Sequence, residues 1–110
     1  MPRFEPNERA IHYAKHRADF PAITEVQYEQ AAERFLLAPL HSDLLECKRQ
    51  RGDIVRYDKV TGEFAVLSAT GMIRTYFRPI PCASVPRGAP LVGCHGETDN
   101  VAYFNKECAK

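Results

Sequence analysis

Residues 53–79 read DIVRYDKVTGEFAVLSATGMIRTYFRP, three short alternating runs separated by Gly62 and by Thr70-Gly71. Each run is too brief for a helix and rich in Val, Ile, Tyr, Phe and Thr, so the segment is restricted to an antiparallel meander. Strands are expected over residues 54–58, 63–68 and 72–78, with a less regular strand before them over 43–48. A short connection at Thr70-Gly71 sets Leu67 opposite Arg74 and Ala65 opposite Tyr76. A turn with a glycine bulge at Gly62 sets Tyr57 opposite Phe64 and Val55 opposite Val66. The period of two then puts Val55, Tyr57, Phe64, Val66, Ile73, Thr75 and Phe77 on one face, which the helices are expected to cover. Arg56, Ala65, Leu67, Arg74, Tyr76 and Arg78 fall on the other.

The N-terminal third is helical in pattern. Asn7 is expected to cap a first helix over residues 8–18, which Phe20-Pro21 ends because the residue before proline is pushed out of the helical region. Thr24 opens a second helix, with Gln27 three residues on to complete a capping box. Val26, Ala31, Phe35 and Leu36 form its apolar stripe, and Pro39 stops it. Residues 80–96 read as a loop, rich in proline and glycine, and NVAYFNKECAK closes the chain as a short strand or helical turn docked by Tyr103 and Phe104. Helices followed by an antiparallel run of strands predict an α+β fold, with the N-terminal helices packed on a twisted antiparallel meander. At 110 residues the chain is expected to be one domain, 1–110.

Charge narrows the function. A net charge of +1 argues against a protein that coats nucleic acid generally. Locally, however, residues 48–78 carry Lys48, Arg49, Arg51, Arg56, Lys59, Arg74 and Arg78 against only Asp53, Asp58 and Glu63. Such a basic sheet suits local phosphate contacts, although a solvated sheet face has the same composition. No apolar run of about 18 residues exists, so no membrane insertion is expected. The opening MPRFEPNERA has no apolar stretch of a signal peptide.

Cys47, Cys82, Cys94 and Cys108 lack C-x-x-C spacing, which disfavours a zinc ribbon or a redox motif. Their number admits two disulfides, or one bridge between Cys94 and Cys108. With no export signal in view, four reduced thiols are expected. A zinc deaminase is disfavoured too, because H-x-E with P-C-x-x-C is missing.

His12 and His16 lie four residues apart and share one helix face. A metal site would need more ligands, from His95 or distant cysteines, and Tyr13 and Ala14 break any H-E-x-x-H pattern; no metal and no cofactor are expected. Proton transfer near neutral pH is the functional reading of such a pair, and a solvated helix face is the plain one. RNA cleaves itself when its 2′-OH attacks the adjacent phosphorus. A catalyst must take the 2′ proton, stabilise the added negative charge and protonate the leaving 5′ oxygen. One histidine, permanently cationic arginines and a hydroxyl are the parts required. His16, Arg56, Arg78, Thr75 and Tyr103 supply them, with His12 as a substitute for His16. Thr75 is equally readable as a β-branched strand filler.

GDIVRYDKVTGEFAVLSATGMIRTYFRP, preceded by a helix bearing HYAKH and followed by HG and YFN, resembles the C-terminal ribonuclease domains of bacterial polymorphic toxins, of the barnase–EndoU–colicin–RelE class. Within that class it looks like the contact-dependent inhibition tRNases and prophage-borne nucleases. The resemblance spans nearly the whole chain and is most specific over residues 53–79. It implies metal-independent endonucleolytic cleavage of RNA, with tRNA the expected substrate and a 2′,3′-cyclic phosphate the product. It also implies a cognate immunity protein, expected to be acidic and to cover Arg74 and Arg78, and action in the cytoplasm of a target cell after delivery within a larger secreted protein. His16 matches the family's helix histidine, Arg56 and Arg78 its basic strand positions, Thr75 its hydroxyl position and, more loosely, Tyr103 an aromatic near the end. The alternative is a catalytically inactive RNA- or protein-binding module on the same scaffold.

Overall fold

The computed structural model describes residues 2–110. Helix α1 spans Pro6–His16 and continues into a 3-10 turn, Arg17–Asp19. It begins two residues earlier than the sequence suggests. Pro6 occupies the first turn, where its fixed φ fits and its missing N–H costs nothing. Asn7 therefore lies inside the helix, and the Glu5 carbonyl accepts from the Glu8 and Arg9 N–H groups at 2.9 and 3.2 Å. Helix α2 spans Glu25–Leu37 and starts from the expected capping box. The Thr24 hydroxyl accepts from Gln27 N–H at 3.2 Å, and the Gln27 side chain accepts from Thr24 N–H at 2.8 Å. Its inward stripe is Tyr28, Ala32, Phe35 and Leu36, whereas Val26 is exposed.

Four strands follow: β1 Leu44–Lys48, β2 Ile54–Asp58, β3 Phe64–Leu67 and β4 Ile73–Phe77. They form one antiparallel sheet in chain order, so the protein is an α+β meander with two helices before the sheet. Between β2 and β3, Gly62 adopts φ 81° and its N–H reaches the Asp58 carbonyl at 2.9 Å. The Asp58 carboxylate accepts from Val60 and Thr61 N–H, which sets Tyr57 opposite Phe64 and Val55 opposite Val66 as expected.

The β3–β4 pairing departs from the expected one. Ala65 faces Tyr76 and Val66 faces Thr75, but Leu67 then faces Ile73, leaving Arg74 unpaired as a β-bulge. Beyond the bulge the side-chain alternation resets. Ile73 joins Tyr76, Ala65 and Leu67 against α2, in a core with Phe4, Phe20, Tyr28 and Phe35. The N-terminal helices thus cover the face that includes Arg56, not the face of Val55, Tyr57, Phe64 and Val66.

That second face has its own cover. Residues Asn100–Cys108 form helix α3, capped by the Asp99 carboxylate on Ala102 N–H at 2.8 Å. Phe104 enters a core with Val55, Tyr57, Phe64 and Val66, and Phe77 and Tyr103 pack at its margin. Burying a ring such as Phe64, 1% exposed, contributes about 1.5–3 kcal/mol. The sheet is therefore a middle layer between the N-terminal helices and α3.

All four cysteines are paired, which corrects the expectation of free thiols. Cys47 joins Cys108 and Cys82 joins Cys94. The first bridge ties the end of α3 to β1. Beside it the Arg49 guanidinium, 6% exposed, reaches the Glu107 carbonyl at 2.7 Å, Glu107 Oε1 at 3.1 Å and Asp53 Oδ2 at 3.1 Å. Burial alone would raise the Asp53 carboxyl, but hydrogen bonds from Arg51 and Arg49 hold it below the usual carboxylate range.

Among the described residues no helix is long and apolar enough to cross a membrane.

Candidate active site

Strand β4 is an edge strand, and at its C-terminal end Tyr76 is buried against α2 whereas Thr75 and Phe77, on the other face, are only half-buried. There a cavity of about 550 Å³ opens between the last turn of α1, the end of β4, the loop at 92–95 and the first turn of α3. Lys15 and His16 reach it from α1, where cations suit the negative end of the helix dipole. Thr75, Phe77 and Arg78 reach it from β4, and Tyr103 from α3. Four of the expected residues, His16, Thr75, Arg78 and Tyr103, therefore line one wall-to-wall space. Thr75 and Phe77 lie on the sheet face opposite α2, at the edge that the end of α1 reaches around, so a residue that alternates with buried ones meets the cavity.

His16 lies flat on Phe77, ring centroids 4.8 Å apart and planes inclined by 15°. Loss of water on burial lowers its pKa first, and the neighbouring Lys15 charge lowers it further, against Asp19, to about 4. At neutral pH the ring is a neutral imidazole, a proton acceptor rather than a cation. Its nitrogens make no hydrogen bond to protein among the described residues.

Arg78 is exposed, its guanidinium 5.0 Å above the centre of the Phe20 ring. Its backbone N–H donates to Asp19 Oδ2 at 3.2 Å, which fixes the end of β4 to the turn after α1. Among the described residues no carboxylate pairs with the Arg78 or Lys15 side chain, so both charges remain available to an anion. Tyr103 stacks on His95, centroids 4.4 Å apart, and burial, helped by Glu107, pushes its phenol up to about 12. It stays a neutral hydroxyl at physiological pH.

Two expected residues stand elsewhere. Arg56 is 8% exposed beneath α2. Its Nε donates to Glu46 Oε2 at 2.6 Å, and its Nη1 donates to the Phe35 and Ala38 carbonyls at 3.1 and 2.7 Å. It satisfies the unpaired carbonyls at the C-terminal end of α2, a structural task that leaves no donor facing the cavity. His12 sits behind His16 rather than beside the cavity, between Phe4 at 5.2 Å and His16 at 5.9 Å. Its Nε2 is 3.4 Å from Glu8 Oε2, its Nδ1 is buried without a partner, and burial lowers its pKa.

Three cavity residues with chemistry of their own lie outside the expected catalytic set, Lys15, Asp19 and His95, and Asp19 places a carboxylate in the same space. Lys15 lies within HYAKH, and His95, which opens HG, enters the sequence analysis only as a further ligand that a metal site would need. His95 Nε2 is 2.7 Å from Asn100 Oδ1, and its Nδ1 accepts from Glu97 N–H at 3.3 Å. Among the described residues no three His, Cys, Asp or Glu side chains gather as a metal site.

No protein-family model matches the chain, and no curated protein matches it either.

Proposed function

We propose that the protein is a ribonuclease that cleaves RNA by attack of a 2′-OH on the adjacent phosphorus, giving a 2′,3′-cyclic phosphate and a 5′-OH. One observation carries the reading: a neutral imidazole, His16, shares a cavity with two cationic side chains that lack carboxylate partners, Arg78 and Lys15. His16 accepts the 2′ proton as the O2′–P bond forms. Arg78 presents a planar fork of donors to the phosphoryl oxygens, whose negative charge grows in the transition state. Lys15 adds a second positive charge, and the Thr75 hydroxyl donates to a non-bridging oxygen. Proton transfer and charge stabilisation suffice for this reaction, and neither requires a cofactor.

The resemblance to toxin ribonuclease domains supports tRNA as the substrate and an acidic immunity protein as the partner, laid over the rim at Arg78. Two disulfides suit a protein that passes through an oxidising compartment before acting.

Purified protein incubated with total tRNA, followed by sequencing of the new ends, tests the reading. Cleavage leaving cyclic phosphate ends is expected, with a loss of about 10²–10⁴-fold in His16→Ala. Full activity in that variant removes the mechanism. RNA bound without product by the wild-type protein favours the inactive binding module instead.

A further inference from the structure

His95 is restrained more than its position in the chain requires. It follows a segment whose Leu91 and Val92 side chains are exposed, yet nearly every part of it is fixed. Its backbone N–H donates to the Ile80 carbonyl at 3.0 Å, and its carbonyl accepts from Cys82 N–H at 2.8 Å. The preceding residue is tied to Cys82 by a disulfide, and the ring is stacked on Tyr103. Asn100 completes the restraint. Its Nδ2 donates to the Pro79 carbonyl at 2.9 Å, which turns Oδ1 toward His95 Nε2. An amide oxygen only accepts, so Nε2 keeps its hydrogen and Nδ1 is the atom left to exchange one. The 3.3 Å contact of Nδ1 with Glu97 N–H is long for such a bond and easily replaced. Binding and catalytic groups concentrate on loops held by a rigid scaffold, and His95 is such a loop residue on the cavity wall.

We propose that His95 is the second proton carrier of the cavity, protonating the departing 5′ oxygen from Nδ1, with Asn100 as its positioning residue. The assignment rests on the ribonuclease reading. At the start His16 is neutral and His95 is the imidazolium, its Nε2–H in a charge-assisted bond to Asn100. As the O2′–P bond forms, the 2′ proton passes to His16. As the P–O5′ bond breaks, its electron pair goes to O5′, which takes the proton from His95 Nδ1. The two rings together keep the same charge, and His95 ends neutral. Opening of the cyclic phosphate reverses the roles: water gives a proton to His95, and His16 returns one to O2′.

The test compares ordinary RNA with the same RNA carrying a bridging 5′ sulfur at the linkage the wild-type protein cleaves, because a thiolate leaves without protonation. His95→Gln, with His95→Ala beside it and unfolding midpoints as a control for the fold, is expected to lose about 10²–10⁴-fold on the oxygen linkage. On the sulfur linkage it is expected to lose less than about tenfold, and the alkaline limb of its kcat/KM profile disappears. Asn100→Ala is expected to lower kcat on the oxygen linkage while leaving the sulfur linkage nearly unchanged, because it frees the ring that Asn100 orients. Equal losses on both linkages, or undiminished cleavage of ordinary RNA, overturn the role of His95 and leave the ribonuclease reading standing. Wild-type protein that cleaves neither RNA overturns the ribonuclease reading, and this assignment with it.

Discussion

His16 stacks on Phe77: the two rings lie 4.8 Å apart and nearly parallel, and the phenyl face covers one side of an imidazole whose pKa burial and Lys15 lower to about 4. Phe77→Ala reopens that side of the imidazole to solvent. Its pKa is expected to climb from about 4 toward the ordinary 6.5, followed by the ring proton shifts in an NMR titration. The acid limb of kcat/KM should climb with it, since only the neutral ring accepts the 2′ proton. An unchanged titration in the folded variant would show that Phe77 does not set the pKa.

Linkage gives the same ring a second signature. A folded pKa below the unfolded one costs nothing above about pH 6.5, where both states are neutral. As pH falls from there toward 4, the unfolded chain takes a proton that the folded ring refuses, and stability declines. His16→Gln removes this contribution. Urea midpoints of wild type and variant are expected to converge toward higher stability of the variant between pH 6.5 and 4, and to hold a constant difference above that window.

Arg56 separates structure from chemistry. Removing its guanidinium leaves two carbonyls at the end of α2 and the Glu46 carboxylate without their donor. Arg56→Ala is expected to cost about 2–4 kcal/mol in denaturant unfolding, while cleavage per folded molecule stays near wild type. A variant of normal stability that has lost activity would return Arg56 to the phosphate-binding group.

The difference between Arg56 and Arg78 shows where the sequence stops being readable. Local chemistry was legible: Thr24 and Gln27 announce their cap, and Asp58 with Gly62 fixes the Tyr57–Phe64 register. Alternation also sorted the two faces of β2 and β3 correctly. It does not say which face each helix takes, because both faces are apolar enough to be covered and the closing segment reads equally as a short strand or a helical turn. The bulge at Arg74 has no composition of its own, and it moves Ile73 across the sheet. Cysteine pairing was equally hidden, since spacing alone permits every connectivity and the pairs form between residues that only the finished fold brings together. Of the cavity, His16, Thr75, Arg78 and Tyr103 were legible through their chemistry. His95 was not, because its significance lies in Asn100, Pro79 and Tyr103 around it.

Arg78 and Lys15 should differ in kind. Arg78 offers a bidentate fork, so Arg78→Ala is expected to lower kcat by roughly 10²–10³-fold, and Arg78→Lys to recover only part of it. Lys15 acts as a point charge at the rim. Lys15→Ala is expected mainly to raise KM and to flatten the dependence of log affinity on log salt by about 0.7 per lost phosphate contact on single-stranded RNA. Equal effects of the two substitutions on kcat would argue against this division.

The two disulfides should be separable by what each one holds. Cys47 and Cys108 are 61 residues apart in sequence, and Cys82 and Cys94 only 12. On the chain-entropy account the first closes the longer loop and contributes about 4 kcal/mol, the second nearer 3 kcal/mol. Cys47→Ser with Cys108→Ser is therefore expected to be the less stable double variant in urea, with α3 loosened from β1 but Arg49 still bonded to Glu107. Cys82→Ser with Cys94→Ser should show the smaller loss of stability and the larger loss of cleavage below the unfolding transition. That bridge and the hydrogen bonds of His95 with Ile80 and Cys82 together form the wall of the cavity. Full cleavage by this second variant would mean that the wall keeps its shape without the bridge, and that the two hydrogen bonds alone place His95.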